Sequence, residues 1–255
     1  MNDMIGKVAL VTGGGSGIGR ETALLFARRG ASVIVADINV DHASKVAGEI
    51  ESAGGKALAI HVDVTNEESV QAMVRKGVEG FGAIDFAANN AGITGPISEI
   101  ADMSLADARM IVEVDLISVF LCMREELKVM LPRGQGAIVN TCSIWGLVAG
   151  PSYAMYSAAK HGVAGLTKAG ALEVATRGIR VNAVCPGFTV TPMLTEQGLK
   201  LKPGTEAYAA ADGAHPIGRM GRPGEIAEGI VWLASGASSF VTGTCLSVDG
   251  GFTAR

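Results

Sequence analysis

Three polar side chains near the middle of the chain have the types and spacings needed to move a proton at an alcohol or ketone oxygen: Ser143, Tyr156 and Lys160. Tyr156 and Lys160 are four residues apart, so on a helix they project from one face. A free phenol has a pKa of about 10, and a neighbouring ammonium lowers that pKa because it favours the phenolate. Tyr156 is therefore a candidate general acid/base, and Ser143 could hydrogen-bond the substrate oxygen.

A glycine-rich segment, Thr-Gly-Gly-Gly-Ser-Gly-Ile-Gly at 12–19, follows the first predicted strand and opens a helix. Glycines let the backbone approach a pyrophosphate, which then binds the free N–H groups at the helix N-terminus. Such a loop can also be a plain tight turn, but the strand–loop–helix context favours a dinucleotide cradle. Its candidate cofactor-binding residues are Gly13, Ser16, Gly17, Ile18 and Gly19.

Asp37 ends the second predicted strand, where dinucleotide-binding units place an acidic residue on the adenosine ribose. A carboxylate there would repel a 2′-phosphate, and no Arg or Lys occupies 14–18 or 38–40, although Arg20 is near. An ordinary helix cap or turn is the alternative interpretation. The sequence therefore predicts NAD rather than NADP. The positive charge of an oxidised nicotinamide would add to the effect of Lys160 on Tyr156.

Two later strand ends carry residues that suit the adenosine half of the cofactor. Asp63-Val64 follows the third predicted strand, where a side chain can reach the adenine amino group. Asn90-Ala91-Gly92 follows the fourth, where small residues leave room for the ribose. Either segment could also be only a loop at a strand end.

The elements that must position these residues alternate between short apolar runs and amphipathic stretches. The predicted strands are Val8–Val11, Ser32–Ala36, Ala57–Val62, Ile84–Ala88, Ala137–Thr141, Ile179–Val184 and Cys245–Val248. The predicted helices are Gly17–Arg29, Val40–Ser52, Glu67–Gly80, Leu105–Met130 and Tyr153–Thr176, with candidate C-cap glycines at 30, 54, 55, 82 and 178. Most strands are apolar on both faces. The pattern predicts one α/β domain over 1–255, a doubly wound parallel sheet with helices on both faces.

Composition bears on the class of partner. The net charge is −4 with no basic stripe, so the sequence favours no nucleic-acid partner. The longest apolar run, Leu116–Met123, is too short to span a membrane. The four histidines form no ligand cluster, so no metal is predicted. The cysteines at 122, 142, 185 and 245 lack metal-ligand spacing, and we interpret them as reduced thiols, with those at 142 and 185 buried. Reduced thiols and the lack of a signal-peptide pattern at 1–8 together predict a cytoplasmic protein.

A family resemblance rests on five motifs: Thr12–Gly19, Asn89–Gly92, Ser143 with Tyr156 and Lys160, Pro186-Gly187, and Val248-Asp249-Gly250-Gly251. With them the chain resembles the short-chain dehydrogenase/reductase family from end to end. The resemblance implies a Rossmann-type domain with the substrate site built in, usually assembled as a homotetramer. It also implies an NAD-preferring alcohol dehydrogenase or carbonyl reductase.

The resemblance further implies contacts for individual residues. Tyr156 and Lys160 would join the cofactor site, Lys160 through the nicotinamide ribose, and Asn90 would lie against the cofactor. The loop Pro186–Thr191 would hold the nicotinamide carboxamide; its candidates are Pro186, Gly187, Thr189 and Thr191.

One residue departs from the family pattern. Relatives usually have an asparagine in a Val-Asn-Leu context, where it helps to anchor a water in the proton relay, whereas this chain has Val114-Asp115-Leu116. If only the backbone carbonyl is used, Asp115 serves equally well. An ionised carboxylate near Lys160 would instead offset the lysine and raise the pKa of Tyr156.

The predicted substrate pocket is apolar and partly aromatic. Its candidate residues are Trp145, Val148, Gly150, Tyr153, Phe188, Met193 and Leu194. They predict a neutral, hydrophobic alcohol or ketone, unless Trp145 and Phe188 are merely core residues. The proline- and glycine-containing segment 191–222 could be a substrate lid or an ordinary surface excursion.

Two other functions stay open. A ketoreductase acting on an acyl-carrier-protein thioester would need a basic patch near the pocket, for which the candidates are Arg124, Lys128, Arg133 and Arg177. A non-catalytic nucleotide-binding regulatory protein would keep the fold without the chemistry, but it would be expected to lose Ser143, Tyr156 or Lys160.

Overall fold

The computed structural model describes residues 3–254. In this part of the chain seven parallel strands form one sheet, in the order β3-β2-β1-β4-β5-β6-β7. The strands are β1 Val8–Thr12, β2 Ser32–Asp37, β3 Lys56–His61, β4 Phe86–Asn89, β5 Gly136–Thr141, β6 Ile179–Pro186 and β7 Cys245–Val248. The doubly wound parallel fold predicted from the alternating pattern is confirmed.

Helices cover both faces of the sheet, so each strand buries side chains in two directions. In β1, Val8 and Leu10 pack with one apolar layer, built from α3, α5 and α6. Ala9 and Val11 pack with the other, built from α1, α2 and α8. The helices are α1 Gly17–Arg28, α2 Val40–Ser52, α3 Glu67–Phe81, α4 Leu105–Val112, α5 Ser118–Met130, α6 Ala154–Val174, α7 Glu206–Gly213 and α8 Pro223–Ala234. This two-sided burial explains why the strand sequences are apolar throughout.

The prediction of one continuous helix over Leu105–Met130 is wrong. A π-helical turn, Glu113–Ile117, separates α4 from α5. Apolar periodicity continues through the turn, so the sequence pattern does not reveal it. Such turns insert one extra residue into a helix and redirect the side chains there. Asp115 lies in the middle of this turn and is completely buried.

Two helices were not predicted, and β4 begins two residues later than predicted. α7 lies inside the segment 191–222, and α8 covers one face of the sheet. β4 begins at Phe86 rather than at Ile84 because Asp85 belongs to an anchor at the start of the strand. There its carboxylate accepts a hydrogen bond from the Val8 amide (2.9 Å) and pairs with Arg133 (2.8 Å).

The strand order reverses between β1 and β4, which are neighbours in the sheet. Doubly wound sheets bind ligands outside the carboxyl ends of the strands at such a point, because the chain leaves the two strands in opposite directions and opens a crevice. The glycine-rich loop follows β1, and Asn90 follows β4. Within residues 3–254, no helix combines the length and apolar character required to cross a bilayer.

Candidate active site

A cleft of ≈ 420 Å³ opens at the carboxyl ends of the strands. Most of the residues predicted for the site line it: Gly13, Ser16, Gly17, Ile18, Asp37, Asp63, Val64, Asn90, Ala91, Gly92, Asp115, Ser143, Trp145, Tyr153, Tyr156, Lys160, Pro186, Gly187, Phe188, Thr189, Thr191, Met193 and Leu194. Gly19, Val148 and Gly150 are not part of its lining. Across 3–254, no cluster of three or more His, Cys, Asp or Glu side chains could hold a metal ion.

The glycine-rich loop has a backbone that other residues would not adopt. Gly13 and Gly17 have φ of +61° and +52°, in the left-handed region that favours glycine. A Cβ on Gly19 would lie 2.1 Å from the Gly13 carbonyl oxygen, so α1 can begin this close to β1 only with glycine there. The Ser16 side chain makes no capping hydrogen bond. The free N–H groups of α1 and the Ser16 hydroxyl therefore fit a pyrophosphate.

Asp37 is held at the tip of β2 by two backbone amides. Its Oδ2 accepts from Gly15 N (2.8 Å) and its Oδ1 from Asn39 N (2.9 Å). Asp37 thus fixes the glycine-rich loop and still faces the cleft. The nearby Arg20 forms ion pairs with Glu21 and Glu49, so its guanidinium is already engaged.

Asn90 joins the two strands at the point where their order reverses. Its side-chain amide donates to the carbonyls of Thr12 (3.2 Å) and Gly13 (3.4 Å), while its backbone N–H donates to the Thr12 hydroxyl (3.0 Å). Asp63 accepts from the N–H and the hydroxyl of Thr65 (2.9 and 2.7 Å) and so shapes its own turn. Both residues therefore form the wall of the cleft and also hold its backbone.

Ser143, Tyr156 and Lys160 meet at the inner end of the cleft. Ser143 lies two residues after Thr141, the last residue of β5, and its Oγ accepts a hydrogen bond from Trp145 N (3.2 Å). Tyr156 and Lys160 lie one turn apart on α6, with the Lys160 Nζ 5.5 Å from the centre of the Tyr156 ring. Lys160 is only 3% exposed, and its Nζ donates to the carbonyl of Thr141 (3.2 Å). The spacing predicted on one helix face thus brings the side chains together.

Among the effects on the pKa of Tyr156, burial is the largest, and it raises that pKa above its ordinary value. The positive charge of Lys160 and a hydrogen bond with Ser143 act in the opposite direction, and the carboxylate of Asp115 adds to the increase. Lys160 therefore lowers the pKa of Tyr156 as the spacing predicts, but burial outweighs it. A net lowering requires a further positive charge beside the phenol, such as that of an oxidised nicotinamide.

Asp115 contacts Lys160 through its side chain, which is the arrangement in which its charge would offset that of the lysine. Its Oδ1 lies 3.1 Å from the Lys160 Nζ and accepts from Ile93 N (3.2 Å), whereas its Oδ2 has no hydrogen-bond partner. Burial raises the pKa of Asp115, and Lys160 lowers it. Burial alone would lower the pKa of Lys160, but the charge of Asp115 reverses this and raises it. A Cβ on Gly92 would come within 2.7 Å of the Asp115 Oδ1, so this glycine makes room for the pair.

One side of the cleft is an aromatic wall, formed by Trp145, Tyr153 and Phe188. The Trp145 ring stacks on Tyr153 (5.6 Å between centres) and packs edge-on against Phe188 (6.3 Å). Phe252 does not line the cleft; its ring packs behind the wall, edge-on against Trp145 (5.5 Å). Phe252 was not predicted from the sequence, although it lies directly after the terminal Val-Asp-Gly-Gly motif.

His215 supports this wall from behind and was also missed. It is buried against Phe188 (5.6 Å) and Phe252 (5.5 Å). The Phe188 N–H donates to the His215 Nε2 (3.1 Å), which requires the proton to be on Nδ1, and Nδ1 lies 2.9 Å from the Ala211 carbonyl. No local pattern marks this residue, because its partners are distant in the chain. Gly150, predicted for the pocket, instead packs against the Trp145 ring.

Comparison with known proteins places this arrangement in a family. The family model described as Enoyl-(Acyl carrier protein) reductase matches residues 13–253. The cyclohexanol dehydrogenase of Acinetobacter sp. (strain SE19) is 45% identical over 100% of this chain and 98% of its own length. The 2,5-dichloro-2,5-cyclohexadiene-1,4-diol dehydrogenase of Sphingobium indicum (strain B90A) is 45% identical over 100% of both chains.

A crystal structure of a short-chain type dehydrogenase/reductase from Mycobacterium marinum superposes with a TM-score of 0.92 at 37% identity, covering 100% of this chain and 98% of that one. The match extends over the whole sheet and includes both halves of the cleft. The chain therefore belongs to the short-chain dehydrogenase/reductase family, whose members are oxidoreductases that use a nicotinamide cofactor.

Proposed function

We propose that the protein is an NAD-dependent dehydrogenase that oxidises a neutral secondary alcohol on an apolar ring, and that reduces the corresponding ketone in reverse. The observation that carries the proposal is the meeting of Ser143, Tyr156 and Lys160 beside an aromatic wall in one cleft. NAD, when bound along the glycine-rich loop, supplies the hydride acceptor.

The residues of the chain then have distinct tasks. Ser143 orients the substrate oxygen by a hydrogen bond. Tyr156 takes the hydroxyl proton during oxidation and returns it during reduction. Lys160 stabilises the phenolate by its charge, and the Asp115 carboxylate (3.1 Å) and the Thr141 carbonyl (3.2 Å) hold the ammonium in place. Thr189 and Thr191, with Pro186 and Gly187, are proposed to hold the nicotinamide carboxamide.

The preference for NAD over NADP is supported by charge. Asp37 presents a carboxylate at the end of β2, and Arg20 is neutralised by Glu21 and Glu49. A 2′-phosphate would therefore meet a negative charge without a free cation beside it. We expect kcat/KM to be higher with NAD than with NADP. In the Asp37→Asn variant, the ratio of kcat/KM with NAD to kcat/KM with NADP should be lower than in the parent. An NADP-preferring parent enzyme would contradict this assignment.

The nature of the substrate follows from the lining of the cleft. Among the described residues that line it, Lys160 is the only basic side chain, and it is already paired with Asp115. A carboxylate or phosphate on the substrate would thus find no free basic side chain in this lining. The aromatic wall suits a flat or puckered apolar ring. Two relatives are named for alcohols of six-membered rings, which supports the same class here.

We propose that the segment 191–222, within a single domain spanning the chain, is a lid over the substrate. Met193 and Leu194 line the cleft from a π-helical turn, Met193–Gln197. Behind them Leu201, Ala211 and Met220 form a small apolar cluster separate from the two main layers. The separation of this cluster from the two main apolar layers supports a role for the segment in covering bound substrate.

A carrier-protein ketoreductase is the second candidate, favoured by the description of the matching family model. The basic residues proposed for a carrier do not support it. Arg133 and Arg177 precede β5 and β6, so they lie at the amino ends of the strands, opposite the cleft. Arg124 pairs with Glu67 (2.6 Å) and Lys128 with Glu125 (2.8 Å). The ring-alcohol assignment therefore has more support in the structure.

The Tyr156→Phe variant tests the proposal. With saturating NAD and a panel of cyclic, aliphatic and aryl secondary alcohols, we expect its kcat to fall by about 10²–10⁴-fold, while NADH binding is kept. NADH absorbance is the readout for turnover. A variant that oxidises these alcohols as fast as the parent would overturn the role of Tyr156. A parent that binds NADH but oxidises none of them would overturn the substrate class.

We further propose a cytoplasmic homotetramer. The cysteines at 122, 142, 185 and 245 are all free thiols. Exposed apolar side chains such as Leu172 on α6 and Phe240 before β7 are suited to subunit contacts. Light scattering coupled to size-exclusion chromatography tests the assembly. A monomer at micromolar concentration would contradict it.

A further inference from the structure

A cluster of polar side chains is buried beneath the cleft, apart from the groups that the proposed reaction uses. It joins Asn89 at the end of β4, Glu126 on α5, Asn140 on β5 and Thr167 on α6. Glu126, Asn140 and Thr167 are completely buried, and Asn89 is nearly so. A carboxyl group in such a place requires a partner for each of its oxygens.

The hydrogen bonds of this cluster leave two atoms without partners. Asn89 Nδ2 donates to Glu126 Oε2 (3.0 Å) and to Asn140 Oδ1 (3.1 Å), which uses both of its hydrogens. Asn140 Nδ2 donates in turn to the Thr167 hydroxyl (3.0 Å). The Oδ1 of Asn89 and the Oε1 of Glu126 have no partner. The unsatisfied atoms are thus one oxygen on each side of the same hydrogen-bonded pair.

A single proton would satisfy both atoms. An ionised carboxylate and an amide oxygen both only accept hydrogen bonds, so without a proton neither of these two oxygens can be a partner for the other. A protonated Oε1 donates to the Asn89 Oδ1 while Oε2 still accepts from Nδ2. The carboxylic acid and the carboxamide then form a cyclic pair with two hydrogen bonds, and no charge is buried.

The surroundings favour the neutral acid. Burial raises the pKa of Glu126 to about 8, and the hydrogen bond from Asn89 opposes this only in part. The elements facing it contribute amides from β4 and β5 and a hydroxyl from α6. Within residues 3–254, the titratable group that interacts with Glu126 is Cys122, one turn earlier on α5, whose own pKa is raised by burial so that it stays an uncharged thiol.

We propose that Glu126 is a protonated carboxylic acid that forms a cyclic pair with the Asn89 carboxamide, and that it is a positioning residue for the cleft. Asn89 precedes Asn90, which holds the carbonyls of Thr12 and Gly13. Asn140, bonded to Asn89, precedes Thr141, whose carbonyl accepts from the Lys160 Nζ. The pair therefore connects α5 to the two strand ends that support the glycine-rich loop and the lysine.

Infrared spectroscopy detects the proton directly. At pH 7 the parent protein should show the carbonyl absorption of a protonated carboxylic acid, and Glu126→Gln should remove it. The exposed control Glu51→Gln should leave it unchanged. Absence of any Glu126-dependent carboxylic acid band at pH 7 would overturn the proposal.

The pH dependence of unfolding gives a second measurement with a definite sign. The pKa of Glu126 is raised from 4.5 to about 8 in the folded protein, so the stability it contributes is full below 4.5 and is lost as the pH rises to about 8. The glutamine in Glu126→Gln keeps both hydrogen bonds and cannot ionise. The free energy of unfolding of Glu126→Gln minus that of the parent should therefore increase as the pH rises from 4.5 to about 8, and should stay constant at higher pH. Parallel curves for the parent, Glu126→Gln and Glu51→Gln would contradict the proposal.

The positioning role is tested by cofactor binding, which does not depend on the alcohol substrate. Glu126→Leu removes the partner of the Asn89 carboxamide on α5 and leaves only its hydrogen bond to Asn140. We therefore expect about tenfold weaker NADH binding, whereas Glu126→Gln should bind like the parent. Should Glu126→Leu not fold, Glu126→Met, which keeps the length of the side chain but lacks the acid, replaces it in the same titration. Parent-like binding by a folded Glu126→Leu would overturn the positioning role, whatever alcohol the enzyme prefers.

Discussion

The two halves of the cleft, the proposed cofactor half along the glycine-rich loop and the proposed substrate half beside the aromatic wall, are built in different ways. The cofactor half is made mainly of backbone: the N–H groups of α1, glycines at 13, 17 and 19, and carbonyls that accept from Asn90. The substrate half is made of large side chains from distant parts of the chain, which meet in the aromatic wall and are supported by His215. A backbone site binds the invariant parts of a cofactor, while a side-chain site can be altered one residue at a time. The comparison predicts that substitutions in the cofactor half weaken NADH binding, whereas substitutions in the substrate half lower kcat/KM for the alcohol and leave NADH binding unchanged.

Among the substitutions that separate the two halves, the largest effect is expected for Gly19→Ala, on NADH binding. A Cβ there would lie 2.1 Å from the Gly13 carbonyl oxygen, so Gly19→Ala must push α1 away from the loop. We expect the dissociation constant for NADH to rise by about 10–100-fold, as strain of this kind costs about 1–3 kcal/mol. Fluorescence titration with NADH measures it.

Gly48→Ala is the matched control, because nothing lies within 4 Å of a Cβ at this position on α2. It should bind NADH like the parent. If Gly19→Ala also binds like the parent, the tight approach of α1 to β1 is not what forms the cofactor half.

A smaller effect, confined to the substrate half, is expected at Phe252. Phe252→Ala removes the ring that supports Trp145 (5.5 Å) and Phe188 (6.0 Å) from behind. Each aromatic pair contributes about 0.5–1.5 kcal/mol, so kcat/KM for a ring alcohol should fall by about tenfold. The dissociation constant for NADH should not change.

Phe120→Ala provides the control, since this ring is exposed on α5 and does not line the cleft. In Phe252→Ala, kcat/KM should fall less for a bulkier bicyclic alcohol than for cyclohexanol, because the rings of the aromatic wall can move into the space that Phe252 occupied. If Phe252→Ala weakened NADH binding as much as it lowered kcat/KM for the alcohol, the two halves of the cleft would not be independent.

The smallest effect is a shift in pH dependence at the boundary of the two halves. The Asp115 carboxylate raises the pKa of Tyr156, so Asp115→Asn should lower it. Oxidation requires the phenolate, and the rising limb of kcat/KM against pH should therefore move to lower pH with activity kept. An unchanged profile would count against the charge argument. An inactive but folded variant would show that Asp115 does more than modulate this charge.

Local patterns predicted the parts of the site that lie close together in the chain. The strand ends at Thr12, Asn89 and Thr141 and the i, i+4 pair of Tyr156 and Lys160 need only one strand or one helix turn to be recognised. The π-helical turn at Asp115 was missed because an extra residue in a helix does not interrupt its apolar pattern. The supporting roles of Phe252 and His215 were missed because their contacts join positions far apart in sequence.

By itself, the sequence determined the doubly wound sheet, the glycine-rich loop and the set of Ser143, Tyr156 and Lys160, because periodicity and short spacings encode them locally. Only the tertiary structure decided the charges within that set. Burial raises the pKa of Tyr156, Asp115 contacts Lys160, and Glu126 is completely buried against the uncharged Asn89. Such effects depend on the distance to groups on other elements and on the exclusion of water, which a linear pattern does not contain.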